Sequence, residues 1–209
     1  MSESLQKSEK EKYTTIWKYN EYRLYSPGEA SIKNLRIINL LRKCGVKTVL
    51  DAGCGSGKLM RALIEECGNE FSVHGFDIAE NCLDHFFDKI KNDILTVGVL
   101  WDKEDFNKKY DAIICCDVLE HIPTEKVELV LDNFYRCTKK FCYLSIALQH
   151  DYFGPKIIGK PLHLTVKEPN WWISKIKKAG FNDPRYVTEK DRNGHEIWLH
   201  MFLLSRDPH

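Results

Sequence analysis

The chain has 209 residues and a net charge of +1, and 43% of its residues are hydrophobic. This size and balance predict an ordinary globular core, and the near-zero charge gives no basis for binding nucleic acid or anionic lipid. We find neither a bilayer-spanning run of about 20 apolar residues nor a secretory signal, so we expect a cytoplasmic protein without a membrane partner.

The N-terminal part has a composition of its own. Residues 1–12 are polar and charged, and we expect them to be frayed or weakly helical. Residues 13–28 are rich in aromatic side chains and end in the chain-breaking sequence Ser26-Pro27-Gly28. A dense aromatic cluster of this kind would expose much apolar surface unless it packed against the rest of the protein.

Beyond this segment, helix and strand patterns alternate along the chain. Apolar residues at helical spacing predict a first helix at about 29–44. Further helices are predicted at 58–66, 80–91, 125–137 and 168–179. Strands are predicted at 48–51, 71–77, 94–100, 110–117, 141–148, 184–188 and 196–204.

The order of these elements predicts the fold class. Strands that alternate with helices favour a doubly wound, Rossmann-like α/β fold with a seven-stranded, mainly parallel sheet. A long loop, 149–166, follows the fifth strand. The connection between the last two strands is too short for a helical crossover, so we expect a C-terminal antiparallel hairpin.

A glycine-rich turn between the first strand and its helix is the most informative sequence. It reads Asp51-Ala-Gly-Cys-Gly-Ser-Gly57, and its glycines allow a tight turn and close approach of a ligand. Ala52 and Leu59 contradict a phosphate-binding P-loop. The dinucleotide motif GxGxxG also fails, because the third glycine comes one place early and Asp51 would repel a pyrophosphate.

An acid before GxGxG suits a ligand with a cationic end and no phosphate. The turn resembles the first motif of the class I S-adenosylmethionine-dependent methyltransferases. Two more segments share the resemblance, namely Asp77 at the end of the second strand and residues 110–122, which are similar to the family's fourth-strand motif. The resemblance covers about residues 45–205 and implies a methyltransferase with S-adenosylmethionine as its cofactor.

The resemblance also implies a set of cofactor-binding residues. In this family an acid at the position of Asp77 would hold both ribose hydroxyls. Many relatives have an acid after the third strand for the adenine amino group; Trp101 stands in that region, either packing on adenine or as a plain rim or core aromatic. The predicted cofactor-binding residues are Arg23, Asp51, Gly53, Gly55, Asp77, Ile78, Trp101 and Asp117.

N-terminal extensions in this family often fold over the cofactor. We therefore expect residues 1–28 to form a lid on a methyltransferase domain at 29–209, with Arg23 paired to the carboxylate of the cofactor's methionine part. The alternative is a surface helix that its aromatic side chains hold against the domain.

Methyl transfer requires alignment, exclusion of water and sometimes removal of a proton. The predicted catalytic residues lie at the rim where parallel strands end, and they are His121, His150, Tyr152 and His163. We expect Glu120 and His121 to hydrogen-bond each other and no metal to bind. The alternative is a divalent cation held as in the small-RNA 2′-O-methyltransferases, on Asp117, Glu120, His121 and His163.

Two classes of acceptor remain. The first is a small-molecule metabolite that is methylated on oxygen or nitrogen, and the second is RNA or protein. The near-neutral charge favours the metabolite, because nucleic-acid binding requires a basic surface. The eight cysteines form no CxxC pair, and we expect reduced, mostly buried thiols.

Overall fold

The computed structural model describes residues 2–25 and 36–205. Its helices are α1 (Ser2–Ile16), α2 (Asn20–Tyr25), α3 (Arg36–Lys43), α4 (Lys58–Cys67), α5 (Lys91–Ile94), α6 (Val127–Cys137), α7 (Phe153–Ile158) and α8 (Pro169–Lys178). Its strands are β1 (Thr48–Ala52), β2 (Ser72–Asp77), β3 (Leu95–Val97), β4 (Tyr110–Cys116), β5 (Thr138–Ala147), β6 (Arg185–Lys190) and β7 (Glu196–Leu204).

The seven strands form one sheet in the order β3-β2-β1-β4-β5-β7-β6. Strand β7 is antiparallel to both of its neighbours, and the other pairs are parallel. The predicted Rossmann-like fold and its C-terminal hairpin are confirmed. The strand order reverses between β1 and β4, and in open α/β sheets ligands bind at the carboxyl edge beside such a reversal.

Two apolar clusters cover the two faces of the sheet, because neighbouring residues of a strand point to opposite sides. Ile113 of β4 packs in a cluster with α6 and α8. Ile114, the next residue, packs on the other side in a cluster with α3 and α4. The N-terminal side chains Ile16, Trp17 and Tyr22 belong to this second cluster, so the N-terminal segment is part of the folded core.

Of the two expectations for residues 1–12, frayed or weakly helical, the structure shows the helical one. Residues Ser2–Ile16 form a helix of 15 residues, whose sequence is rich in strong helix formers such as Lys, Glu and Gln. One side of this helix packs on the domain: Ile16 is fully buried, and Glu9 and Lys12 form a buried ion pair. The predicted boundary between residues 28 and 29 lies outside the described residues.

The predicted helix at 80–91 is also wrong, since this region has a single 3₁₀ turn at His85–Phe87. The carbonyls of Asn81 and Cys82 accept hydrogen bonds from Arg23, and the N–H of Asp84 donates to Ser56. These backbone groups are therefore not available for helical hydrogen bonds.

Two smaller differences concern loops near the cleft. Strand β3 is shorter than predicted, because the N–H of Val99 donates to the Asp105 carboxylate instead of to a neighbouring strand. The predicted loop at 149–166 contains the short helix α7.

The state of the cysteines agrees with the prediction of reduced, mostly buried thiols. The eight cysteines are free thiols, and five of them are buried. Within the described residues, no helix combines the length and the apolar character needed to cross a bilayer.

Candidate active site

A cleft opens at the carboxyl edge of the sheet, beside the reversal of strand order. Its cavity volume is about 100 Å³. The domain side of the cleft includes Gly53, Gly55, Asp77, Ile78, Trp101 and Asp117. The opposite side includes Glu9, Tyr13, Trp17 and Tyr22 of the N-terminal segment, together with His121.

The glycine-rich turn needs glycine for two physical reasons. Gly53, Gly55 and Gly57 have φ values of 82°, 50° and 81°, in the left-handed region that other residues avoid. A Cβ on Gly55 would also lie 2.9 Å from the ring of Trp17. The backbone of the turn therefore carries no side chain at Gly53 and Gly55, and the ring of Trp17 packs against it at Gly55.

Asp77 joins this turn to the end of β2. One carboxylate oxygen accepts from the N–H of Gly55 at 3.0 Å, and the other accepts from the N–H of Ala79 at 2.9 Å. A carboxylate has about four acceptor positions, so each oxygen of Asp77 retains capacity for a further donor. Burial raises the pKa of Asp77 to about 6. Two adjacent acceptor oxygens at the wall of a cleft suit a ligand with two neighbouring hydroxyls.

Two more acids lie at the ends of β1 and β4. Asp51 is buried, and burial together with the nearby charge of Asp77 raises its pKa to about 7. Asp117 has a φ of 58° and is the one non-glycine residue with positive φ in the described part of the chain. Such strain concentrates at functional sites. Its Oδ1 is buried without a partner, so a ligand donor or a proton held with Glu120 would satisfy it.

Arg23 does not line the cleft. Its guanidinium donates to the carbonyls of Trp17, Asn81 and Cys82 and to the carboxylate of Asp84. The geometry does not support the predicted pairing of Arg23 with a cofactor carboxylate. Arg23 instead fastens the N-terminal segment to the loop that follows β2.

Other contacts hold the N-terminal segment over the cleft. Asn81 donates to the carbonyl of Thr14, Lys156 forms an ion pair with Glu21, and the ring of Tyr22 meets that of Phe153 edge-on. We call residues 2–25 the lid because they line the cleft, and the role as a cover predicted for residues 1–28 stays a prediction. It packs against the loops that follow β2 and β5, both at the carboxyl edge of the sheet.

The lid brings a tyrosine to the predicted catalytic histidine. The hydroxyl of Tyr13 lies 2.7 Å from Nδ1 of His121, and these residues are 108 positions apart in the sequence. Burial raises the pKa of Tyr13, so its phenol stays protonated. Burial and the neighbouring His163 hold the pKa of His121 well below its usual value, so its ring is neutral at pH 7. Sequence analysis missed Tyr13 as an individual site residue.

The remaining predicted catalytic residues fall in two groups. The ring of His163 meets that of His121 edge-on, with centroids 4.7 Å apart. His150 and Tyr152 are exposed and do not line the cleft, so their predicted roles gain no support from the structure.

The predicted hydrogen bond between Glu120 and His121 is not formed. Oε1 of Glu120 accepts from the N–H of Ala147, whereas Nδ1 of His121 is bonded to Tyr13. Glu120 is fully buried beside Asp117, and burial together with the Asp117 charge raises its pKa. It therefore connects the loops after β4 and β5 instead of orienting the histidine directly.

The strand order, the acid before the glycine turn and the acid at the end of β2 are the features expected from the resemblance to the class I S-adenosylmethionine-dependent methyltransferases. Residues 49–140 match the family described as "Methyltransferase domain". This matched range includes the glycine turn, Asp77 and β4, the segments that carry the resemblance to the class I S-adenosylmethionine-dependent methyltransferases. The bare glycine turn and the free acceptor capacity of Asp77 fit a ligand with a ribose diol and no phosphate.

Two similar proteins are described as methyltransferases. The chain is 31% identical over 116 residues to magnesium-protoporphyrin O-methyltransferase from Synechocystis, covering 53% of this chain and 46% of that protein. It is 34% identical over 82 residues to ubiquinone biosynthesis O-methyltransferase from Hydrogenovibrio crunogenus, covering 37% and 33%. The chain thus spans less than half of the length of these relatives.

A solved structure shares the fold. The crystal structure of magnesium protoporphyrin IX methyltransferase from Synechocystis with bound SAH has a TM-score of 0.62 and 19% sequence identity to this chain. The match covers 84% of this chain and 82% of that one. At this level of identity the likeness concerns the fold alone.

Proposed function

We propose that the chain transfers a methyl group from S-adenosylmethionine to an oxygen of a small-molecule acceptor. The main support for this proposal is that Tyr13 and His121 form a hydrogen-bonded pair in the same cleft as Asp77 and the glycine turn. The two relatives named above are both described as O-methyltransferases, which supports oxygen over nitrogen.

The Tyr13–His121 pair has the chemistry to remove the acceptor's proton. When bound, S-adenosylmethionine supplies an electrophilic methyl group on a sulfonium sulfur. A hydroxyl that is methylated must lose its proton. When Nδ1 of His121 carries no proton, it accepts from the Tyr13 hydroxyl, and the tyrosine oxygen takes up the acceptor's proton as its own proton passes to the imidazole. Both residues line the cleft, as this transfer requires.

The lid and the domain together shield this chemistry from water. Trp17 covers the glycine turn, and Tyr22 and Trp101 add apolar surface to the cleft walls. A dry cleft strengthens the hydrogen bonds and charges inside it and keeps the acceptor aligned. The proposal therefore assigns the lid to catalysis as well as to packing.

Calorimetry provides the direct test of the cofactor site. We expect S-adenosylmethionine and S-adenosylhomocysteine to bind and NAD not to bind, since the glycine turn lacks the GxGxxG spacing and Asp51 would repel a pyrophosphate. Transfer of label from the cofactor to pools of hydroxylated metabolites then identifies the acceptor. Tight binding of NAD without binding of S-adenosylmethionine would overturn the proposal.

The affinity for S-adenosylhomocysteine should depend on pH. The pKa of Asp77 is raised to about 6 and that of Asp51 to about 7, so both acids gain negative charge as the pH rises through this range. The ligand carries a cationic amino group. Binding should therefore strengthen by about tenfold between about pH 5.5 and about pH 8. The variant Asp77→Asn should show a shallower dependence, whereas an affinity that falls with rising pH would contradict the charges assigned to the site.

A second candidate function is a metal-dependent transfer to RNA or protein. It is favoured by the ligand atoms of Glu120, His121 and His163, which lie within 4.8 Å of one another. Oε1 of Glu120 and the Nδ1 atoms of both histidines have hydrogen-bond partners, which leaves Oε2 and the other ring nitrogens to a cation. The two named relatives are both described as O-methyltransferases, so we propose the small-molecule function and test the metal separately.

Chelation separates these two functions. We expect turnover to survive EDTA, because the Tyr13–His121 pair removes the proton without a cation. The control is the same chelator saturated with calcium. Loss of turnover in EDTA that magnesium or another divalent ion restores would favour the metal-dependent reading instead.

A further inference from the structure

Two thiols and a carboxylate form a cluster at the glycine turn, apart from the Tyr13–His121 pair. Sγ of Cys54, Sγ of Cys82 and a carboxylate oxygen of Asp77 lie within 4.8 Å of one another. All three residues are buried, with exposed fractions of 7%, 0% and 8%. Cys54 belongs to the glycine turn and Cys82 to the loop after β2, so the fold brings together two cysteines that form no metal motif in the sequence.

The separation of these atoms suits a tetrahedral metal ion. Zinc binds thiolate sulfur at about 2.3 Å and carboxylate oxygen at about 2.0–2.2 Å, which places neighbouring ligand atoms roughly 3.6–3.8 Å apart. The ligand atoms of the cluster lie within 4.8 Å of one another, a limit about 1 Å wider than this spacing. Two thiols and one carboxylate also match the ligand preference of zinc and similar thiophilic cations.

The surroundings of the two thiols support metal binding. The thiol of Cys54 is hydrogen-bonded to that of Cys82, so the two sulfur atoms lie side by side. A Cβ on Gly75 would lie 2.8 Å from both Sγ of Cys54 and Sδ of Met60. Glycine at this position thus leaves room for Sγ of Cys54 and Sδ of Met60. The thioether of Met60 is a third sulfur atom near the two thiols.

We propose that Cys54, Cys82 and Asp77 bind a thiophilic divalent cation such as zinc, and that this cation competes with the cofactor. Binding releases the two thiol protons to solvent and leaves one tetrahedral position for water. The competition rests on the proposed function, in which Asp77 holds the ribose hydroxyls. A carboxylate oxygen bound to zinc is no longer free to accept from them.

Zinc titration against a chromophoric chelator tests the site without any turnover assay. The reduced wild-type chain should bind one zinc ion. Cys82→Ser should weaken binding by at least about 100-fold, because losing a direct ligand costs no less than losing a group that only orients one. The matched control is Cys44→Ser, which changes a half-buried thiol outside the cluster. Equal zinc binding by Cys82→Ser and wild type would overturn the proposal.

A second measurement uses the wild-type chain alone and does not depend on the folding of a variant. Cadmium in place of zinc should give sulfur-to-cadmium charge-transfer absorption, and saturating S-adenosylhomocysteine should suppress it. Absence of the absorption would refute the site, and a signal unaffected by S-adenosylhomocysteine would refute the competition. A chain that binds S-adenosylhomocysteine but no metal contradicts this inference alone, whereas one that binds only metal contradicts the proposed function.

Discussion

Deletion of residues 1–26 is expected to abolish methyl transfer and to leave a folded methyltransferase domain. The deletion removes Tyr13 from His121 and Trp17 from the glycine turn, so the cleft loses both a proton-transfer group and its cover. The seven strands begin at Thr48 or later, and the sheet therefore retains all its members. Circular dichroism should lose only the helical signal of α1 and α2, while turnover falls below detection.

The truncated chain should nevertheless be less stable than the full chain. Ile16, Trp17 and Tyr22 are buried in the cluster that contains α3 and α4. Burial of side chains of this size stabilises a fold by roughly 1.5–3 kcal/mol each. A lower thermal midpoint is thus expected, and assays should be run well below it.

Single substitutions in the lid distinguish its role in proton transfer from its role in covering the cleft. Tyr13→Phe removes one hydroxyl and should lower kcat by about 100-fold or more, as expected for loss of a general acid–base group. Tyr19→Phe makes the same change at an exposed position of the lid and should leave kcat unchanged. Full turnover by a folded truncated chain, or equal activity of Tyr13→Phe and Tyr19→Phe, would return the lid to a packing role.

Asp77→Ala is expected to weaken binding of S-adenosylhomocysteine by roughly 1–3 kcal/mol, the usual cost of an unpaired buried polar group. This corresponds to about 5-fold to 150-fold in the dissociation constant. The substitution removes the acceptors proposed for the ribose, and it also frees the N–H groups of Gly55 and Ala79. The glycine turn should therefore lose order as well as its ligand contact.

Two control variants separate these effects. Asp77→Asn keeps one acceptor oxygen and should lose less affinity than Asp77→Ala. Asp93→Ala removes an exposed acid outside the cleft and should bind as the wild type does. An unchanged dissociation constant in folded Asp77→Ala, measured by calorimetry, would show that other groups hold the ribose.

The parts of the site that depend on local sequence were predictable. The turn at 51–57 and the acid Asp77 each follow a short apolar strand, and their positions in the fold depend on neighbouring residues only. Strand β4 was equally clear, because a buried central strand is apolar on both sides.

The parts that depend on distant contacts were not predictable. A helix at 80–91 satisfies local patterns, yet Arg23 binds carbonyls 58 and 59 positions further along the chain and the region forms a loop. The pairing of Tyr13 with His121 spans 108 positions, and no periodicity records it. Helix α1 has few apolar residues, and its order depends on side chains such as Ile16 that pack on the domain.

The attachment of Arg23 also bears on how long ligands remain in the protein. Arg23 binds the loop after Asp77, and Trp17, on the same lid, lies over Gly55. If the lid has to open before a ligand can leave the cleft, these contacts must break first, and the residence time of the demethylated cofactor is then governed by lid opening. Motions of this kind take about microseconds to milliseconds, and they set the turnover rate of many enzymes. Slow dissociation of cofactor analogues is the kinetic signature of such an enclosure.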